Sequence, residues 1–303
     1  MWGASAGDAW VAGSGGGIAR WDGTGGAEAF VAGSSLHGIW GAGADDAWAV
    51  GEGGTVCRWD GSAWTRLVSP VRDDLYGVAG SSGTDVWAVG AGGALVHWDG
   101  ASWEQRRTGT TVDLAGVWGT GATDLWAVGW GAIVREDGRC WRPVVEGPGV
   151  RLRAVWGAAS DDVWAVGAWG EARHWAGVDW TEVSTPGFSD LVGVAGSSAT
   201  DVWAVGDDGW VWHWDGADWL GAPAPGPEPL LDVWSVSGTD AWIARDYGPA
   251  LHWDGSSWTE FAGGPGSSRA VWGSGSADVW AVGGESEHWD GRAWSWVSSD
   301  SSW

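Results

Sequence analysis

The chain has no lysine and no asparagine, and it carries one methionine, two cysteines, two tyrosines and three phenylalanines in 303 residues. Without asparagine it holds no N-glycosylation sequon, and the joint loss of lysine and asparagine points to a GC-rich coding sequence. Positive charge rests on arginine alone, 15 residues against 39 acids, for a formal net charge of -24. A field of that sign keeps a protein soluble and disfavours phosphate-rich partners, so neither nucleic acid nor an anionic membrane surface is an expected partner. No apolar run approaches the roughly 20 residues of a membrane span. Met1 leads straight into Trp2-Gly3 of the first repeat, leaving no room for a signal peptide, so the compartment stays open, a secreted or cell-surface place included. Cys57 and Cys140 fall at different repeat positions two repeats apart, too far for the roughly 4.4–6.8 Å Cα spacing of a disulfide. Both are expected as buried thiols.

What the chain does have is 34 tryptophans and 56 glycines. The glycines lack the every-third spacing of collagen, and hydrophobic content of 44% is too high for disorder, so they read as turns. Their order is periodic. Asp85-Val86-Trp87-Ala88-Val89-Gly90 has near copies beginning at Asp8, Asp46, Asp124, Asp162, Asp201, Asp240 and Asp278, with a period of 38 or 39 residues. Eight copies tile residues 1–303, which reads as one repeat domain.

Each repeat holds four short runs rich in Val and Trp and bounded by Gly, Asp and Ser. In the third these are Leu75–Ala79, Val86–Val89, Ala94–Trp98 and Ser102–Gln105, here named strands A, B, C and D. Strand C ends in Trp-Asp-Gly at Trp21, Trp59, Trp98, Trp214, Trp253 and Trp289, and a second Trp usually follows five residues after the first. Asp-Gly between two apolar runs marks a hairpin with the glycine at positive φ. Small antiparallel sheets apolar on both faces must bury each face against another copy. The expected fold is therefore an all-β, eight-bladed β-propeller of four-stranded antiparallel blades. A β-helix is the weaker alternative, because its parallel coils do not fit such short links. The ends also register with a closed ring, placing Met1 near Trp303.

Several repeats break the pattern. The fourth has Glu136-Asp137-Gly138 for Trp-Asp-Gly, the fifth has Trp175-Ala176-Gly177, and the seventh reads Asp240-Ala241-Trp242-Ile243-Ala244-Arg245 and loses the glycine after strand B.

The Trp253–Trp258 turn, Trp-Asp-Gly-Ser-Ser-Trp, resembles a shortened Asp-box of the sialidase-type propellers, and Trp48–Gly54 is similar to repeats of photosystem-assembly-type propellers. The chain as a whole looks like a Trp-rich bacterial propeller repeat protein. The resemblance implies the fold rather than one activity, since such turns serve glycosidases, receptors and assembly factors alike. The sialidase arginine triad is not recognisable, and neither Tyr76 nor Tyr247 can be assigned as its nucleophile.

The residue before the strand C Trp is basic in every repeat: Arg20, Arg58, His97, Arg135, His174, His213, His252 and His288. A feature present in all eight reads as scaffold, bonded to the strand B aspartate, rather than as eight metal or anion sites. Neither a metal site, a catalytic residue nor a cofactor is assigned. The patterned Trp residues likewise read as packing between blades.

The B–C links differ from repeat to repeat and include Glu52, Trp130, Trp169, Glu171, Asp207, Asp208, Trp210, Asp246, Tyr247 and Glu285. Variation on a regular frame is what a binding surface needs. The expectation is a monomeric, non-enzymatic binding or interaction scaffold with Trp130, Trp169, Trp210, Tyr247, Asp207, Asp208 and Glu52 as ligand-binding residues. The ligand would be a carbohydrate or a peptide. Two alternatives stand beside it: an acidic loop face that takes a cation or a basic partner, and a glycosidase- or lyase-like enzyme with its site at the channel mouth.

Overall fold

The computed structural model describes the chain except residues 6, 23–25, 261–265, 284–285 and 299–303, and gives only the backbone of 26–29 and 297–298. Two compact units are built, one on Met1–Val155 and one on Trp156–Ser301.

All strands pair with antiparallel neighbours in the order A, B, C, D. In the third repeat Trp87 lies opposite both Ala79 of strand A and His97 of strand C, and Trp98 lies opposite Trp103 of strand D. The Val-Trp-Ala-Val core of strand B is apolar on both faces, so it can only sit mid-sheet between neighbours. Trp48, Trp126, Trp164 and Trp242 are accordingly completely buried. Val50, Val56, Val86, Ala88 and Val96 of adjoining repeats pack with Trp48 into one of the apolar clusters that join successive sheets.

The number of sheets corrects the expectation of eight. Hydrogen bonding groups the strands into seven sheets, six with four strands and one with six, so the fold is a seven-bladed β-propeller. The cause lies in the links of the fourth and fifth repeats. In the second repeat the B–C link turns through Gly53 and Gly54, at φ 61° and 69°, and in the third through Gly92 and Gly93, at 63° and 73°. The fourth repeat has Trp130-Gly131 there and stays extended, giving a single 13-residue strand, Asp124–Glu136. The next link is extended too, giving a 19-residue strand, Trp141–Ala159. Trp130 pairs with Arg151 and Ala132 with Glu146, so one ladder runs through both repeats.

The C–D hairpins form as the Asp-Gly pattern requires. Gly61, Gly100, Gly216, Gly255 and Gly291 all have φ between 86° and 97°. The preceding aspartate closes each turn by accepting from two backbone N–H groups, as Asp60 does from Ser62 and Ala63, both at 2.9 Å. The two cysteines part company with expectation. Cys57 is buried, and burial pushes its thiol up to about 11 against the pull of Arg66. Cys140 is exposed, because it falls in a C–D turn rather than in a strand. The expected closeness of Met1 and Trp303 involves Trp303, which lies outside the described residues.

Candidate functional site

The basic residue of strand C meets the strand B aspartate in all eight repeats. Arg20–Asp8, Arg58–Asp46 and Arg135–Asp124 are ion pairs at 2.8, 3.0 and 3.2 Å. His97–Asp85, His174–Asp162, His213–Asp201, His252–Asp240 and His288–Asp278 lie at 2.8, 2.8, 2.7, 3.0 and 2.6 Å. Each base also covers the strand B tryptophan directly opposite it. His97 stacks on Trp87 at 3.8 Å and His213 on Trp203 at 3.9 Å, while Arg58 lies over Trp48 at 4.9 Å. Asp201 further accepts from Ser197 and from Trp203 Nε1. Burial pushes its carboxyl up, but the bonds from His213, Ser197 and Trp203 outweigh that and hold it below the usual range. These groups are consumed by the scaffold, as their recurrence indicated.

At the other end of the strands the B–C links share a frame. The carboxylate at the start of the following strand A accepts from the backbone N–H at the turn's second position: Asp74 from Gly53, Asp113 from Gly92 and Asp190 from Trp169, at 2.8, 2.8 and 3.0 Å. The reading of B–C loops alone missed these acids. Their signal was an aspartate directly before the first leucine of strand A, in Asp74-Leu75, Asp113-Leu114 and Asp190-Leu191.

Trp169 stands where Gly53 and Gly92 stand and adopts the same left-handed backbone, φ 60°; it is the one non-glycine residue at positive φ among the described residues. That conformation costs an L-residue about 1–2 kcal/mol. Its side chain is 60% exposed.

In the unit on Trp156–Ser301, Asp190 ties two of the expected site residues together. Its side chain holds the Trp169 N–H, and its carbonyl accepts from the Asp207 N–H at 3.1 Å. Asp208 accepts from the Trp210 N–H at 3.0 Å, and Trp210 is stacked on buried Trp212 at 5.6 Å. In the seventh repeat, Arg245 replaces the glycine that closes strand B elsewhere. Its buried guanidinium donates to the carbonyls of Pro249 and Pro225 at 2.7 and 2.8 Å and pairs with Glu260 at 2.7 Å. This fixes the link that presents Tyr247, 67% exposed. Glu171, by contrast, is buried and paired with Arg173 at 2.6 Å, and Glu285 lies outside the described residues.

In the unit on Met1–Val155, Glu52 is exposed and accepts from the Ser35 N–H at 3.3 Å. Trp130 is exposed and has the Arg153 guanidinium over its ring at 5.9 Å. Tyr76 sits 5.7 Å from His37, ring to ring, and burial together with Asp113 and Asp74 pushes its hydroxyl up, away from nucleophile chemistry. Trp130, Trp169, Trp210 and Tyr247 are 38–67% exposed. They offer flat apolar planes to solvent, an arrangement that suits binding of a cation-bearing or aromatic group.

No family model matches the chain. A search of curated proteins gives no match either. Solved structures do match. The chain is similar to YCF48 bound to D1 peptide, at 18% identity, TM-score 0.64, covering 84% of this chain and 91% of that one. It is similar to the C-terminal WD40 domain of Sif2, at 12% identity, TM-score 0.71, covering 91% and 90%. The computationally designed Ika8 protein matches at 15% identity and TM-score 0.76, covering 96% and 93%. At these identities the likeness establishes the fold, a β-propeller of Trp-rich repeats.

Proposed function

We propose that the chain is a non-enzymatic interaction scaffold whose B–C links in repeats five to seven bind an arginine-containing peptide segment of a protein partner. The observation that carries this reading is Trp169: a large aromatic side chain kept in a left-handed turn position that favours glycine, and left open to solvent. Backbone strain of this kind persists where a side chain is needed at that place. Asp207, tied to Trp169 through Asp190, and Asp208 beside it in sequence would supply acceptors for a guanidinium, and Trp210 and Tyr247 further planes. Trp130 with Arg153 is an internal example of the arginine-on-tryptophan contact that a partner would make. That YCF48 is seen with a peptide bound supports a peptide over a sugar.

An array of arginine-containing peptides beside a glycan array, followed by calorimetry on the peptides retained, tests the reading. Trp169→Ala and Asp207→Asn should each lower peptide affinity about 3- to 30-fold, the range of one cation–π or charged contact, with the melting temperature unchanged. Retention of glycans and no peptide, or full affinity in both variants, would overturn it.

A further inference from the structure

At five junctions between successive sheets, the strand B tryptophan of one repeat packs against two tryptophans of the next, one from strand C and one from strand D. Trp10 meets Trp59 and Trp64 at 4.8 and 5.2 Å; Trp48 meets Trp98 and Trp103 at 5.1 and 5.4 Å. Trp164 meets Trp214 and Trp219, Trp203 meets Trp253 and Trp258, and Trp242 meets Trp289 and Trp294, all at 4.9–5.9 Å. The strand C base touches the same ring, as Arg20 does Trp59 at 5.2 Å and Arg58 does Trp98 at 5.6 Å.

Between the third and fourth repeats the strand C tryptophan is missing. Glu136 stands in its place, its carboxylate accepting from the Gly138 N–H at 3.0 Å, and Trp87 keeps only the strand D partner, Trp141, at 5.4 Å. A cleft of about 450 Å³ opens there, lined by both residues that would have touched the absent ring, Trp87 and His97, and by Glu136 and Trp141. That volume lies within the roughly 300–1,000 Å³ of small-molecule sites. Trp87 is 6% exposed, whereas Trp10, Trp48, Trp164 and Trp242 are at 0%.

The mouth is basic. Arg106, Arg107 and Arg139 line it. Arg106 is paired with Glu104 at 2.9 Å, and Asp137 of the same turn is paired with Arg142 at 3.4 Å. Arg107 and Arg139 have no carboxylate partner among the described residues and together outweigh Glu136.

We propose that this cleft is a second binding site, at the C–D turn end of the strands, for an indole-class aromatic carboxylate: the ring takes the space that a tryptophan fills at the other junctions, and the carboxylate lies between Arg107 and Arg139. The template is internal, because at the five junctions above the protein builds a cavity complementary to indole and fills it itself. Glu136 is the substitution that leaves this one open. The site is independent of the peptide surface.

Calorimetric titration of the full chain with indole-3-carboxylate, and with indole as the uncharged control, tests this. The carboxylate should bind with a dissociation constant of about 0.1–1 mM, as fits about a dozen non-hydrogen atoms, and indole at least about fivefold more weakly. Glu136→Trp supplies the missing ring and should abolish binding of both while raising the melting temperature. Arg107→Glu combined with Arg139→Glu, surface changes that leave the slot intact, should remove the preference for the carboxylate and leave indole binding in place. No heat from either compound up to about ten times that dissociation constant, a folded Glu136→Trp variant that binds as the parent does, or an unchanged carboxylate preference in the double arginine variant would overturn the proposal.

Discussion

The two ends of each strand set obey different rules. At the A–B and C–D end the same bonds recur: aspartate to strand C base in every repeat, and, in the Asp-Gly hairpins among the described residues, aspartate to the turn N–H groups. At the B–C and D–A end only the backbone frame recurs, as Asp74, Asp113 and Asp190 show, while the side chains on that frame range from Glu52 to Trp169 and Tyr247. The difference follows from where the side chains go. A buried aspartate needs its partners, so its position cannot drift without leaving a desolvated charge unpaired. A solvent-facing turn position is held by its backbone alone, and its side chain is free to be chosen for a partner.

The sharpest way to break this contrast is to disable one buried aspartate. Asp201 is bonded to His213, Ser197 and Trp203, and the Ser235 hydroxyl of the next repeat reaches it at 3.3 Å. Asp201→Ala should cost about 3 kcal/mol, since several buried donors lose their acceptor at once. Denaturant unfolding measures it. A loss below about 0.5 kcal/mol, the level of an ordinary surface change, would mean that the pair is ornament and the two ends are alike.

At the variable end the same logic gives the opposite sign. Trp169→Gly places in the left-handed position the residue that Gly53 and Gly92 already use, whereas Trp169→Ala keeps the strain. The glycine variant should be more stable than the alanine variant by about 1 kcal/mol, and at least as stable as the parent, while losing peptide binding equally. Stability that falls with glycine would show that the Trp169 ring holds the fold and is not there for a ligand.

These two residues also mark how far sequence reasoning reaches. The aspartate–base pair was legible because it recurs in every repeat and because antiparallel register puts Trp87 opposite His97, so spacing alone implied the contact. The strands, their order and the Asp-Gly hairpins were legible for the same reason. The count of blades was not. Whether a Gly-poor link such as Trp130-Gly131 turns or stays extended depends on whether Arg151 and Glu146 offer it a ladder, a matter of long-range pairing. Cys140 was misread as buried since its turn position outweighs the residue's preference. The candidate site residues were chosen by their departure from the pattern, but what singles out Trp169 is a backbone angle, and the bonds of Asp190 and Arg245 rest on links that meet only in the fold.

The smallest expected effect separates the two ends by pH. At the constant end, the hydrogen bonds that Asp60 receives from the Ser62 hydroxyl and from the Ala63 and Ser62 N–H groups hold its carboxyl down at about 2; the matching bonds from Ser256 and Ser257 do the same to Asp254. A carboxylate whose folded value is depressed contributes stability that is present above its unfolded value, near 3.8, and is lost as pH falls through the folded value. Asp60→Ala and Asp254→Ala should therefore be slightly less stable than the parent at pH 7, and the gap should close between about pH 4 and pH 2, where the parent's carboxylates take up their protons. Both aspartates are open to solvent, so the effect is modest, and the double variant makes it easier to read in acid titrations followed by circular dichroism. A gap that stays constant down to about pH 2 would mean that the turns are held by their glycines alone, Gly61 and Gly255, and that the aspartates recur there for another reason.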